Sequence, residues 1–119
     1  MKPQGNHYEN LAAQWLQDRG MRLLAQNFRG KTGEIDIIAR DREHLVFFEV
    51  RARSNRNYST AAGSVDRRKQ QRIMRTAQLF LQRHPELARL PCRFDVIAFE
   101  PRQSREGLAI RWIPAAFTL

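Results

Sequence analysis

Two apolar stretches of this 119-residue chain carry acidic residues where strand interiors usually carry carbon. Asp36 lies inside Ile35–Ile38, Glu49 lies inside Val46–Val50, and 12 residues separate the two acids. Carboxylates that project together from apolar strands repel each other and lose hydration unless a cation compensates them. Mg²⁺ takes oxygen ligands, commonly one or two carboxylates completed by water and phosphate. The pair therefore predicts a site for Mg²⁺ or Mn²⁺, with Arg51 on the same strand face to hold a phosphate oxygen.

The elements that must position these residues can be predicted from the spacing of apolar side chains. A helical stripe predicts a first helix from about His7 to Arg19, with Asn6 as N-cap and Gly20 as the stop. Five strands and one further helix follow: strands at Met21–Phe28, Glu34–Arg40, Leu45–Ala52, Arg93–Phe99 and Leu108–Ile113, and the helix at Val65–Arg83. The order α-β-β-β-α-β-β predicts an α/β fold with helices packed on a sheet. A short polar turn makes the second and third strands a hairpin, which brings Asp36 close to Glu49.

The length of the chain predicts a single domain over residues 1–119. Its one cysteine, Cys92, excludes an internal disulfide and a cage of several thiolates around a metal. The first ten residues have no apolar signal core, and no apolar run approaches the roughly 18–20 residues that span a bilayer. We therefore expect a cytoplasmic protein without a membrane partner, although the basic, amphipathic second helix leaves binding to a membrane surface open. The small, polar segment 54–64 is expected to be a flexible loop.

The charge of the chain is concentrated in one region. The net charge is +9, and the window from Arg51 to Arg75 holds eight basic residues and one acid. Such a field favours a polyanionic partner, most simply a phosphate backbone. The residues expected to contact nucleic acid are Arg51, Arg53, Arg67, Arg68, Lys69, Gln70 and Arg72. Because phosphate contacts carry little sequence information, binding should depend on the shape of the nucleic acid or be nonspecific.

The acidic motif carries a resemblance to a known class of enzymes. Asp36, the 12-residue gap and Glu49-Val50-Arg51 resemble the D…(D/E)-x-K core of restriction-endonuclease-like nucleases. Glu9 resembles the additional acid of the Holliday junction resolvase branches of that superfamily. The whole chain is similar to the YraN-like family of bacterial proteins. The matching segments are Gly5-x-x-x-Glu9-x-x-Ala12, Asn27-Phe28-Arg29, Gly33–Ala39, Val46–Arg51, Val65…Lys69-Gln70, Arg93–Val96 and Ala116-Phe117.

The resemblance implies a mixed β-sheet flanked by helices and a metal-dependent phosphodiesterase that acts on nucleic acid, on DNA rather than RNA, and on structured or branched forms. Glu9, Asp36 and Glu49 would hold the metal, while Asp36, Glu49 and Arg51 would be catalytic. The chain departs from the pattern at Arg51, where these nucleases usually have lysine. Arginine cannot lose its proton in a protein, so Arg51 could clamp phosphate but not activate water. Lys69 on the second helix is the alternative source of an ammonium group.

The departure at Arg51 leaves two other functions open. One is a noncatalytic module that binds nucleic acid on the same fold. The other is an interaction scaffold in DNA maintenance, whose basic face meets an acidic protein. The sequence gives no indication of the oligomeric state.

Structural explanations stand beside several of these assignments. Glu9 could complete a capping box with Asn6. The basic run Arg67–Arg75 could be a solvated helix face. Asp95 is expected to be structural, pairing with Arg93 or with a neighbouring strand.

The two strand acids also have alternative roles. Asp36 and Glu49 could form ion pairs with Arg51 and Arg53 across the hairpin. Glu34 starts its strand, where a solvated side chain or a pair with arginine is expected. Glu34 and Glu49 could also exchange roles around the metal.

Overall fold

The computed structural model of the chain describes residues 4–52, 65–101 and 108–117, with the backbone alone for residues 4–6, 101 and 108. The elements are α1 (Gln4–Asp18), β1 (Arg22–Gly30), β2 (Gly33–Arg40), β3 (Leu45–Ala52), α2 (Arg67–Arg83), β4 (Cys92–Pro101) and β5 (Leu108–Phe117). This order confirms the predicted α/β fold. The predicted loop at 54–64 and Arg53 lie outside the described residues.

The five strands form one mixed sheet in the order β1-β2-β3-β4-β5. Neighbouring strands are antiparallel except β3 and β4, which are parallel. A parallel pair needs a long crossover connection, and α2 lies within the connection between these two strands. The predicted hairpin of β2 and β3 is confirmed by the pairing of Ile37 with Phe48.

The core lies on both faces of the sheet. On the α1 face, Ala12 and Leu16 pack with Ile37 and Phe48. On the α2 face, the packed side chains include Ile73, Ala77, Phe80, Ile38 and Phe47. Because helices cover both faces, β2 and β3 read as nearly continuous apolar runs, and an acid within them is conspicuous.

The first helix starts earlier than its sequence pattern predicts. It begins at Gln4 rather than His7, so Asn6 lies inside the helix and is not the N-cap. Its end is close to the prediction, because Gly20 has a φ of 91° and follows the last turn as expected for a helix stop. Leu11 on this helix is a large apolar residue, yet 42% of its surface is exposed.

The second helix begins at Arg67 rather than Val65 because Asp66 provides the cap. The Asp66 side chain accepts a hydrogen bond of 2.8 Å from the backbone N–H of Lys69. This cap fixes the first turn of α2, and the side chain of Lys69 leaves the helix from that turn. Neither described helix is long and apolar enough to cross a membrane.

The last strand continues beyond its predicted end at Ile113. Asp95 on β4 is fully buried and accepts hydrogen bonds from Trp112 Nε1 at 2.8 Å and from the backbone N–H of Ala115 at 2.9 Å. Arg93 Nε also donates to Asp95, at 3.0 Å. These contacts give Asp95 the structural role that the sequence indicates, and they hold β5 beside β4 past Pro114.

Candidate metal and phosphate site

The site lies where β2 and β3 separate. Their pairing joins Ile37–Arg40 to Leu45–Phe48, which leaves Asp36 and Glu49 at the next position. At this position a side chain makes the hydrogen bond between the two strands. Asp36 Oδ2 accepts a hydrogen bond of 2.8 Å from the backbone N–H of Val50. One oxygen of Asp36 therefore links β2 to β3 at the point where the strands separate, and we refer to this point as the fork. The structure brings the two predicted acids together.

Three acids form a cluster at this fork. Oxygen atoms of Glu9, Glu34 and Asp36 lie within 4.8 Å of one another. Glu9 reaches the fork from α1 and exposes only 9% of its surface, while Glu34 and Asp36 come from β2. Carboxylates this close cannot all remain charged without a compensating cation or a shared proton.

The titration of Glu9 and Asp36 reflects this crowding. Burial, followed by repulsion from Asp36, raises the pKa of Glu9 to about 7. Burial also raises the pKa of Asp36, although the hydrogen bond from Val50 opposes the shift. The hydrogen bond between the two carboxyls favours the protonated form of Glu9.

The cluster fits a hard divalent cation. Glu9 Oε1 is buried and has no hydrogen-bond partner among the described residues. A buried acceptor without a partner is costly, and a metal ion would satisfy it. The donor set is entirely carboxylate oxygen, as Mg²⁺ and Mn²⁺ prefer.

Glu49 faces cations in the described geometry. Its Oε1 lies 3.0 Å from Lys69 Nζ and 3.6 Å from Arg51 Nη2, and 4% of its surface is exposed. Burial and repulsion from Asp36 raise the pKa of Glu49 to about 7, against the opposing effects of Lys69 and Arg51. Glu49 therefore forms an ion pair with Arg51, which was the structural alternative to a metal-binding role. Glu34, and not Glu49, is the third acid of the cluster with Glu9 and Asp36.

Acids and bases meet in one cavity of about 220 Å³. Its lining consists of Gly33, Glu34, Asp36, Glu49, Lys69, Arg72 and Ile73. Three carboxylates on the strands thus face an ammonium and a guanidinium on α2. This arrangement can hold a cation and a phosphate side by side.

The predicted basic residues divide into two groups. Lys69 and Arg72 line the cavity, while Arg67 and Arg68 are exposed at the start of α2 and do not line it. Arg51 contacts Glu49, and its Nε is buried without a hydrogen-bond partner among the described residues. Of the two candidates for the missing lysine, Lys69 is therefore the one whose side chain lines the cavity.

Helix geometry decides two further assignments. Glu9 lies well inside α1, which begins at Gln4, so it cannot belong to a capping box at the helix start. Gln70, which is expected to contact nucleic acid, donates a hydrogen bond of 2.8 Å from Nε2 to the carbonyl oxygen of Val65. It fixes the segment that enters α2 and is absent from the lining of the cavity.

Sequence reasoning missed one residue and undervalued another. Asn27 has a φ of 59° in the middle of β1, and its side chain hydrogen-bonds Glu9. Asparagine is among the few residues that tolerate this backbone conformation, which was the one available signal. Glu34 does lie near an arginine, with Arg29 Nη2 at 3.8 Å, but it also belongs to the acidic cluster.

A five-stranded mixed sheet with a helix on each face, whose central hairpin opens onto clustered acids, defines a restriction-endonuclease-like domain. The family model of the uncharacterised protein family UPF0102 matches residues 8–99, and the chain belongs to this family, the YraN-like family of the sequence resemblance.

Curated bacterial relatives match almost the whole chain. A UPF0102 protein of Alcanivorax borkumensis is 46% identical over 98% of this chain and 92% of its own length. One from Saccharophagus degradans is 47% identical over 97% of this chain and 92% of its own. One from Xylella fastidiosa is 45% identical over the same shares.

Proposed function

We propose that this protein is a metal-dependent phosphodiesterase that cleaves nucleic acid. The observation that carries the proposal is the cavity in which Glu34, Asp36 and Glu49 face Lys69 and Arg72. Hydrolysis of a phosphodiester needs a site for a divalent cation and fixed positive charge for the phosphate oxygens. Carboxylates suited to the cation and basic groups suited to the phosphate line one cavity of about 220 Å³, which supports the proposal.

The roles follow from position and charge. Glu9, Asp36 and Glu34 would hold Mg²⁺ or Mn²⁺, with Glu49 as the alternative third ligand. Such an ion, when bound, polarises a phosphoryl oxygen and acidifies water. Lys69 provides an ammonium for the phosphate, and Arg72 provides a guanidinium that can donate two parallel hydrogen bonds.

The positions of Arg51 and Lys69 account for the departure from the usual motif. Arg51 occupies the position of the usual lysine but pairs with the buried Glu49, at 3.6 Å, and does not line the cavity. Lys69 approaches the same oxygen from α2, at 3.0 Å. We therefore assign the ammonium function to Lys69 and a supporting role to Arg51, which keeps Glu49 compensated. A noncatalytic module that binds nucleic acid remains the second candidate, because Arg51 itself cannot act as a base.

Metal binding is the first test of this proposal. Calorimetric titration with Mn²⁺ is expected to show binding by the wild type and its loss in Asp36→Asn, which removes a charge from the cluster. Glu86→Gln is the matched control, because the Glu86 side chain is 68% exposed and lies outside the cavity. Equal binding by all three proteins would refute the assigned metal site.

Cleavage separates the two candidate functions. Single-stranded, flapped and branched DNA should be cut by the wild type with Mn²⁺ and left intact by Asp36→Asn. If the wild type binds these DNAs but cuts none, while Asp36→Asn binds equally well, the noncatalytic module is the correct function. Absence of binding to any of them at physiological salt would reject both and favour the interaction scaffold.

A further inference from the structure

A second cavity, of about 400 Å³, lies between the β1–β2 turn and α2. Its lining includes Lys31, Arg75, Gln78, Leu79, Gln82 and Arg83. None of its lining residues is acidic. We refer to this cavity as the basic groove.

The cations of the basic groove have no counterion among the described residues. Lys31, Arg75 and Arg83 are exposed, and no carboxylate of the described part of the chain lies within 4.0 Å of them. This contrasts with Lys69, whose charge is already compensated by Glu49. Three uncompensated cations around one depression form a site for an anion with several charges.

The basic groove continues from the cavity at the fork. Arg72 lines that cavity, and Arg75, one helical turn further along α2, lines the groove. Thr32 and Thr76 share a hydrogen bond of 2.7 Å that fixes the turn against the helix between the two cavities. Gly30 permits this close approach, because a Cβ atom there would collide with the side chain of Leu79.

We propose that the basic groove seats the sugar–phosphate backbone of one nucleic-acid strand as it leaves the cavity at the fork. The inference rests on the proposed function, and it identifies the substrate as a strand that continues along α2 well beyond the scissile phosphate. From Arg72 to Arg83 the helix spans about 16 Å, at a rise of about 1.5 Å per residue.

This span sets the length of strand that is bound. This length accommodates several consecutive phosphates of one strand, enough for Lys31, Arg75 and Arg83 each to contact a different phosphate. Gln78 and Gln82 offer amide donors of the kind that contact phosphate oxygens. The lining holds no aromatic side chain on which a base could stack. Binding in the groove is therefore independent of sequence.

The salt dependence of binding tests the groove. Affinity for the single strand dT12 is measured by fluorescence anisotropy in EDTA, which prevents cleavage, over a series of salt concentrations. Each phosphate contact to a single strand contributes about 0.7 to the slope of log K against log salt. The triple variant Lys31→Gln/Arg75→Gln/Arg83→Gln should therefore lower the magnitude of the slope by about 2.

A matched variant controls for net charge. Arg42→Gln/Arg89→Gln/Arg111→Gln removes the same charge from exposed positions outside both cavities, and its slope should fall by less than 1. Equal slopes for the two triple variants would overturn the groove as a binding site. Because Arg83 also lies over the Phe28 ring, at 5.6 Å, circular dichroism checks the fold, and Arg75→Glu alone should weaken binding if the triple variant is unstable.

The same measurement distinguishes failure of the groove from failure of the proposed function. If the wild type binds dT12 with a salt slope that the groove variant leaves unchanged, the groove is rejected and the function stands. If the wild type binds no nucleic acid, both are rejected. The single strand rU12 and a 12-base-pair hairpin determine which backbone is preferred. Stronger binding of an oligoglutamate peptide than of dT12 would show that the groove serves an acidic protein instead.

Discussion

At the scale of single residues, Asp36 combines two tasks that are usually separate. One oxygen accepts the backbone N–H of Val50, where the β2–β3 pairing has ended. The carboxylate also lies in the acidic cluster with Glu9 and Glu34. The fork between the strands and the charge of the site therefore depend on the same side chain. This explains how an acid can occupy a strand interior although no salt bridge to it is found among the described residues.

Lys69 allows metal affinity and catalysis to be separated at the residue scale. Its ammonium lies 3.0 Å from Glu49 and repels any cation at the neighbouring acids. Lys69→Met should therefore bind Mn²⁺ several-fold more tightly in calorimetry. Cleavage of DNA should fall about 10²-fold or more, as on loss of one group that stabilises transition-state charge.

Lys69→Arg serves as the control because it retains the positive charge, so its Mn²⁺ affinity should stay close to that of the wild type. If Lys69→Met instead loses Mn²⁺ binding to the same extent as Asp36→Asn, Lys69 supports the architecture of the metal site and is not a separate group for phosphate.

Asp36 and Glu49 could be selected as candidate site residues from the sequence, because burying an acid inside an apolar strand costs free energy unless a partner compensates its charge. The contact of Asn27 with Glu9 was not predicted, because the left-handed backbone at Asn27 forms only in the folded sheet and leaves no periodic pattern in the sequence. Glu34 was undervalued for a related reason. The start of a strand ordinarily faces solvent, and only the approach of α1 with Glu9 turns this position into part of a cluster.

At the scale of elements, apolar periodicity predicted each helix and strand that the structure describes, and the errors lie at their ends. The early start of α1 leaves no capping side chain to read from the sequence. The strand β5 has Pro114 and then Ala115, which has a φ of 50°, and both normally indicate that a strand has stopped. The strand continues because buried Asp95 accepts the N–H of Ala115. This contact joins residues 20 positions apart, which no local pattern records.

The Asp95 network should dominate the stability of the β4–β5 edge. Replacing Asp95 with Asn removes the charge that Arg93 contacts and turns an amide group toward the donors Trp112 and Ala115. Loss of one partner from a buried ion pair costs about 3–5 kcal/mol. Urea unfolding followed by circular dichroism should show a decrease of this order in the free energy of unfolding.

Glu100→Gln on the same strand is the matched control. Its partner Arg111 is 58% exposed and lies 3.8 Å away, so the change should cost at most about 1 kcal/mol. Similar losses for Asp95→Asn and Glu100→Gln would mean that the buried network does not hold this edge.

At the scale of the whole molecule, the exposed face of α2 is basic, whereas three acids gather at the fork beside the start of this helix. The chain carries a net +9, and α2 exposes Arg67, Arg68, Arg72 and Arg75. Three of the acids converge at the fork instead. The sequence shows the excess of basic over acidic residues but not where they lie in space. Their positions follow from the packing of two helices on opposite faces of one sheet. The exposed positive field of α2 should draw a polyanion toward the cavity at the fork, where Lys69 and Arg72 from this helix face the acids of the strands.

Burial of Glu9 and Glu49, together with repulsion from Asp36, makes stability depend on pH in the direction opposite to that of acids whose pKa values are lowered by a cationic partner. The pKa values of Glu9 and Glu49 are raised from 4.5 to about 7, so the folded state holds more protons than the unfolded state between these pH values. The stabilisation that Glu9 and Glu49 contribute is therefore complete below about pH 4.5, and it is lost as the pH rises through about 7. The free energy of unfolding of the metal-free protein should decrease from pH 5 to pH 8.

Mn²⁺ should reverse this loss, because ionised Glu9, which destabilises the metal-free fold at pH 8, is a proposed ligand of the cation, and Glu49 is the proposed alternative third ligand. Thermal unfolding at pH 5 and pH 8, each with EDTA and with millimolar Mn²⁺, measures both effects. The midpoint should rise with Mn²⁺ at pH 8 and change little at pH 5. Glu9→Gln/Glu49→Gln should flatten the pH dependence, whereas Glu43→Gln/Glu86→Gln, at exposed positions, should retain it. A metal-free protein that becomes more stable from pH 5 to pH 8 through these two residues would show that the fork already compensates its acids and needs no cation.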